Sequence, residues 1–169
     1  MGLHFSVEEF KSRKDKITKL LKEEKLDALL MFRQESMYWL TGYDTFGYVF
    51  FQTLVLDQKG NIILLTRAPD LRQAQNTSNI SDIRIWVDKN GSNPTEDLKV
   101  ILDELNLKGK KIGIEYEAYG LTGRNALTLN KSLENYCSIE DSSELVTKLR
   151  VIKSNEEIDY VKKAANLAD

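Results

Sequence analysis

Leu26-Asp27-Ala28-Leu29-Leu30-Met31-Phe32 holds one polar side chain in seven residues, and no other stretch limits the fold so tightly. It is far shorter than the roughly 18 consecutive apolar residues of a membrane span. It also lacks the alternation of a strand with one wet face. A short, nearly all-apolar run is expected of a strand covered on both sides of a sheet, so the chain must supply helices for two faces.

The flanking sequence supplies them. Ser6 is placed to accept from the Glu9 amide while Glu9 reaches back to Ser6, and Phe5 can pack on Phe10, which predicts a helix from there to about Glu24. Val7, Phe10, Ile17, Leu20 and Leu21 form its apolar stripe. Lys11, Arg13, Lys14, Lys16, Lys19, Lys22 and Lys25 are interleaved with acids and read as a solvated face. Tyr48 to Leu56 carries the strongest strand signal and Asn61 to Thr66 another; the four-residue link Asp57-Gln58-Lys59-Gly60 makes them antiparallel neighbours. A short helix from Asp70 to Gln75 and a strand from Ile83 to Val87 follow. Asn93 and Pro94 then open a helix that ends near Gly109. Lys111 to Glu115 reads as a strand, Leu121 to Glu134 as a helix, Tyr136 to Glu140 as a short strand and Ser143 to Arg150 as a short helix. The expected fold is α/β, with a mixed sheet of about six strands covered by helices.

The tail breaks the pattern. Ser154-Asn155-Glu156-Glu157 is a second capping box, followed by Ile158, Val161, Ala165 and Ala168 at helical spacing, with no stop signal after them. The expectation is one domain over residues 1–153, with residues 154–169 beginning the first helix of another. An exposed apolar patch is expected along Ile158, Val161 and Ala165.

Composition narrows the chemistry. The 169 residues carry 24 basic and 26 acidic side chains, a balance that argues against a nucleic-acid binder. Neither a membrane span nor a signal peptide is expected, and a lone Cys137 forms no internal disulfide, which suits the cytoplasm. The single His4, in what reads as a disordered tip, leaves no base for Ser–His or Cys–His catalysis and makes a His-built metal site improbable. No phosphate-binding glycine loop, zinc-binding H-E-x-x-H or nucleophile elbow occurs. Cys137 sits in an apolar strand-like context and reads as inert.

One segment is richer than folding requires. Met37 to Tyr48 carries five aromatic residues and two glycines around a turn. Tyr38, Trp39 and Leu40 suit the end of a short helix packed on the sheet. Tyr43, Phe46 and Tyr48, around flexible Gly47, are candidates for an exposed lip that touches a ligand or partner.

Ser36-Met37-Tyr38-Trp39-Leu40-Thr41-Gly42-Tyr43, then Leu65-Thr66-Arg67 with Asp70 and Ala74, then Lys111-Ile112-Gly113-Ile114-Glu115, then Leu149-Arg150-Val151-Ile152-Lys153-Ser154-Asn155-Glu156-Glu157-Ile158 stand in this order. Together they resemble the amino-terminal domain of the creatinase, prolidase and aminopeptidase P family, over essentially the whole chain. The resemblance implies a ribonuclease H-like α/β fold and a joint at the L-R-V-I-K-S segment leading to a carboxy-terminal "pita-bread" catalytic domain. Two divalent metals (Mn, Zn or Co) would be held there, by ligands that match no position here. This chain would then bind no catalytic metal and hydrolyse nothing. Its expected role is to dimerise and to cover the partner subunit's active site, with Tyr43, Phe46 and Tyr48 approaching substrate. The implied parent enzyme is a Xaa-Pro dipeptidase, with a creatinase-like amidinohydrolase as the alternative. A stand-alone interaction module is the rival from another class.

Overall fold

A computed structural model describes residues 2–168. Six strands, β1 (Ala28–Met31), β2 (Thr53–Asp57), β3 (Ile62–Arg67), β4 (Asp82–Trp86), β5 (Lys111–Ile114) and β6 (Ser138–Asp141), form one sheet in the order β4-β3-β2-β1-β5-β6. The β1–β2 and β2–β3 pairs are antiparallel, whereas β1–β5, β3–β4 and β5–β6 are parallel, so the sheet is mixed. Seven helices accompany it: α1 (Val7–Glu23), α2 (Gln34–Thr41), α3 (Leu71–Thr77), α4 (Pro94–Glu104), α5 (Gly123–Leu133), α6 (Leu145–Arg150) and α7 (Asn155–Ala168).

Strand register sorts the apolar residues onto two faces. Ile114, Leu30, Val55 and Ile63 are paired across the sheet in one row, and Leu98, Ile101 and Leu102 of α4 with Leu129 and Leu133 of α5 cover that side. Leu29, Leu56 and Ile62 form a row on the opposite side, under Ile17 and Leu21 of α1, Met37 and Leu40 of α2, and Val146 of α6. All four residues of β1 are buried, as the opening apolar run requires.

The strand expected from Tyr48 begins only at Thr53. β1 ends at Met31, which pairs with Leu54, and β3 ends at Arg67, two residues past the Leu65 that faces Thr53, so Tyr48, Val49 and Phe50 lie beyond both neighbours. They turn instead, with the Phe50 amide bonded to the Gly47 carbonyl at 2.9 Å.

Three expectations at the amino terminus need correction, and the first two trace to Arg13. This residue is 1% exposed rather than part of a solvated face. Its guanidinium donates to Glu9 Oε1 at 2.8 Å, the Trp39 carbonyl at 2.8 Å and Glu157 Oε1 at 3.1 Å, and lies 4.1 Å from the centre of the Phe5 ring. Ser6 caps α1 as expected, its hydroxyl accepting from the Glu9 amide at 3.1 Å. The reciprocal half of the box does not form, because the buried cation holds the Glu9 carboxylate. The Ser6 amide donates to Glu156 instead, at 3.0 Å. His4 is not a disordered tip, since its Nδ1 lies 2.8 Å from the Tyr38 hydroxyl.

The tail helix α7 has no buried residue. Ile158 and Val161 are exposed on it, as expected of an unpartnered stripe.

Candidate functional site

The pairing directions bring the carboxyl ends of β1, β3, β4, β5 and β6 to one edge of the sheet, together with the amino end of β2. In open α/β sheets this is the edge where ligands bind. The segment after α2 crosses it. That helix stops at Gly42, whose φ of +81° suits a residue without a side chain and whose amide bonds the Tyr38 carbonyl at 2.7 Å.

From Tyr43 the chain forms a lip with a polar underside. The amide side chain of buried Gln52 is the anchor: its oxygen accepts from the Tyr43 hydroxyl at 2.9 Å and the Thr66 hydroxyl at 3.2 Å, and its nitrogen donates to Thr45 Oγ1 at 3.1 Å. Thr45 Oγ1 also accepts the Gly47 amide at 2.9 Å. Beyond the turn, the Arg67 guanidinium stacks 3.4 Å from the centre of the Phe50 ring and donates to Asp70 at 3.1 Å. The lip backbone at Tyr48 and Phe50 lies directly on Gly120, where a Cβ would strike the Phe50 carbonyl. Gly120→Ala is therefore expected to cost about 1–3 kcal/mol, as overpacked sites do, read as a fall in melting temperature of the 169-residue chain.

The three residues expected on the lip part company. Phe46 is 84% exposed and Tyr48 37% exposed, but Tyr43 is fully buried and belongs to the support, not to the exposed surface. Tyr119 joins them unannounced by the sequence, its ring meeting that of Tyr48 edge-on at 5.8 Å. A lone Tyr before a Gly carries no periodic signal, and only the strand order brings it to the lip. Between this aromatic pair and the ends of β1 and β5 is a cleft of about 510 Å³ lined by Arg33, Glu117, Thr147 and Arg150.

Glu115, at the end of β5, fixes the base of α2. It is fully buried. Its Oε2 accepts the Phe32 amide at 3.1 Å and the Arg33 amide at 3.0 Å, and its Oε1 receives the Ser36 hydroxyl at 2.6 Å. It thus caps a helix whose own N-cap residue, Arg33, offers no side-chain bond. Burial outweighs these donors and pushes the carboxyl up to about 7. Burial likewise raises the half-buried Cys137 thiol to about 11, which fits an inert sulfur. Among the described residues, no three His, Cys, Asp or Glu side chains are grouped to hold a metal, and no helix is long and apolar enough to cross a membrane.

Comparison with known proteins matches residues 13–152 to the family described as the Creatinase/Prolidase N-terminal domain. An uncharacterized hydrolase/peptidase, y4tM, from Sinorhizobium fredii is 28% identical over 99% of this chain and 44% of its own length. The ectoine hydrolase of Halomonas elongata is 25% identical over 99% of this chain and 43% of its own. The crystal structure of a dipeptidase from Pyrococcus horikoshii OT3 superposes with a TM-score of 0.76 at 26% identity, covering 93% of this chain and 41% of that one. The chain thus spans less than half the length of each of these three proteins.

Proposed function

We propose, since this chain belongs to the creatinase/prolidase amino-terminal domain family, that it is the non-catalytic domain of a metal-dependent C–N hydrolase, a Xaa-Pro dipeptidase. In this reading α7 begins the catalytic half, which takes the apolar stripe of Ile158 and Val161 as part of its core. Two divalent metals (Mn, Zn or Co) belong to that half. The donor set here does not fit them, so no chemical step is assigned to residues of this chain. The domain dimerises, and its lip covers the partner subunit's active site. A cytoplasmic protein is proposed, in keeping with a single cysteine.

The observation that carries the reading is Phe46, exposed at the tip of a turn whose underside is locked to Gln52. A large apolar side chain on a rigid support loses little conformational freedom when it meets a ligand. The similarity to an ectoine hydrolase favours a second reading, a creatinase-like hydrolase of a non-peptide C–N bond.

The natural reading frame containing this chain should be expressed and assayed with Mn²⁺ on a Xaa-Pro dipeptide and on a cyclic amidine. Turnover of the dipeptide is expected, with Phe46→Ala and Tyr48→Ala each lowering kcat/KM about tenfold, some 1.4 kcal/mol of transition-state stabilisation, at unchanged melting temperature. Turnover of the amidine alone would select the second reading. A reading frame that ends near Asp169, or hydrolysis by the 169-residue chain itself, would overturn both.

A further inference from the structure

The helix α7 is the one element that the domain core does not hold. A helix of its 14 residues is marginal in water without packing, yet this one is seated against the body. The joint before it is bare: Val151, Ile152 and Lys153 are all exposed. Apart from the Ser154–Glu157 capping box at its own start, the contacts that seat α7 converge on the first residues of the chain and on Arg13. Glu156 accepts both the amide and the hydroxyl of Ser6, at 3.0 and 2.5 Å. Glu157 pairs with Arg13 at 3.1 Å. The Tyr160 hydroxyl donates to the His4 carbonyl at 2.6 Å, and its ring meets Phe5 edge-on at 5.3 Å.

We infer that His4, Phe5 and Ser6 form a clasp that fixes the direction in which α7 leaves the domain, so that the amino-terminal arm acts as a conformational latch on the joint. Three features make the clasp more than a chance contact. The Ser6 amide has an acceptor of the right kind one turn away in Glu9, and is given to a residue 150 positions distant. That exchange depends on Arg13, which holds Glu9 and Glu157 at once and so ties the start of α1 to the start of α7. Finally, the contacts are polar and edge-on aromatic, and none of the side chains that make them belongs to either apolar cluster, so they can open without exposing the apolar core. The hydrogen bonds from Ser6 also hold the Glu156 carboxyl below its usual range. Where the chain continues into a catalytic half, as proposed above, the latch sets the angle between the two halves; that consequence rests on the proposal, but the latch itself does not.

The 169-residue chain suffices for the test. Tryptic cleavage after Lys153 and amide exchange in α7 are followed in Glu156→Ala, in Glu156→Ala/Tyr160→Ala and in a chain lacking residues 1–5, with Asp159→Asn as a control. Alanine removes both oxygens that accept from Ser6, whereas a carboxamide turns its oxygen to the amide and its nitrogen to the hydroxyl. At least tenfold faster cleavage in the double variant and the truncated chain, an intermediate rise in Glu156→Ala and unchanged exchange in β1 and β5 are expected. Cleavage and α7 exchange at wild-type rates in both the double variant and the truncated chain would overturn the latch. So would loss of protection in β1 and β5 together with α7, because α7 would then belong to the cooperative core.

Discussion

Glu115→Ala is expected to lower the melting temperature of the chain by roughly 6–20 °C. The substitution leaves the Phe32 amide, the Arg33 amide and the Ser36 hydroxyl without their acceptor. Each orphaned buried donor costs about 1–3 kcal/mol, and a total near 3–5 kcal/mol corresponds to about 2–4 °C per kcal/mol at this chain length. Glu115→Gln should behave quite differently. Both backbone amides bond the same carboxylate oxygen, Oε2, while Oε1 faces only Ser36 Oγ. A neutral acid keeps both amides on Oε2 and turns its own proton to the Ser36 oxygen, and an amide does the same with its nitrogen, so only the Ser36 hydroxyl proton gives up its acceptor.

The same geometry fixes a pH dependence. The carboxyl titrates near 7 when folded against 4.5 in its ordinary state, so the folded chain binds the extra proton between those values. Its contribution to stability is fully present below about pH 4.5 and is lost as pH rises through 7, by up to about 3 kcal/mol. Thermal melts of wild type and Glu115→Gln from pH 4.5 to 8 should therefore converge at the acid end and separate at the alkaline end, with the variant melting higher. Parallel curves would mean that the carboxylate is ionised throughout and that its three donors prevail over burial.

What the sequence made legible is what hydrophobic pattern and local capping encode. The run at Ala28–Met31, the hairpin through Gly60 and the capped starts of α1 and α4 follow from neighbours a few residues apart. The start of α7 at Asn155 was visible for the same reason, because a capping box is local. Glu115 was visible only as the last letter of a motif, since its three partners lie 79 to 83 positions away. The lip was half legible: aromatic excess marked the segment, but neither alternation nor turn chemistry distinguishes Tyr43, which is buried on Gln52, from Phe46, which is exposed. Tyr48 to Phe51 misled because β propensity reports what suits a pleated surface, not whether a partner strand reaches that far.

Arg13 was the least legible residue and carries the other large effect. Among seven basic residues near α1 nothing local singles it out, yet it alone turns inward between Phe5, Phe10 and Trp39. Removing one partner of a buried ion pair costs about 3–5 kcal/mol, more than the pair itself contributes, because the remaining charges keep their desolvation without compensation. Arg13→Ala leaves Glu9 and Glu157 facing each other with side chains 12% and 19% exposed, and frees the Trp39 carbonyl that Nη1 satisfies. Water can reach both carboxylates, which places the expected loss at the lower end, about 3 kcal/mol, or roughly 6–12 °C. Arg13→Lys should recover only part of it, since one ammonium cannot span three acceptors set for a planar fork. Arg13→Met with Glu9→Gln should recover more, by keeping the packing against the rings and removing one stranded charge. Melting curves of the three variants order these costs. An alanine variant within about 1 kcal/mol of wild type, the scale of an exposed pair, would show that the guanidinium is solvated after all, and with it the reason why Ser6 reaches for Glu156 would disappear.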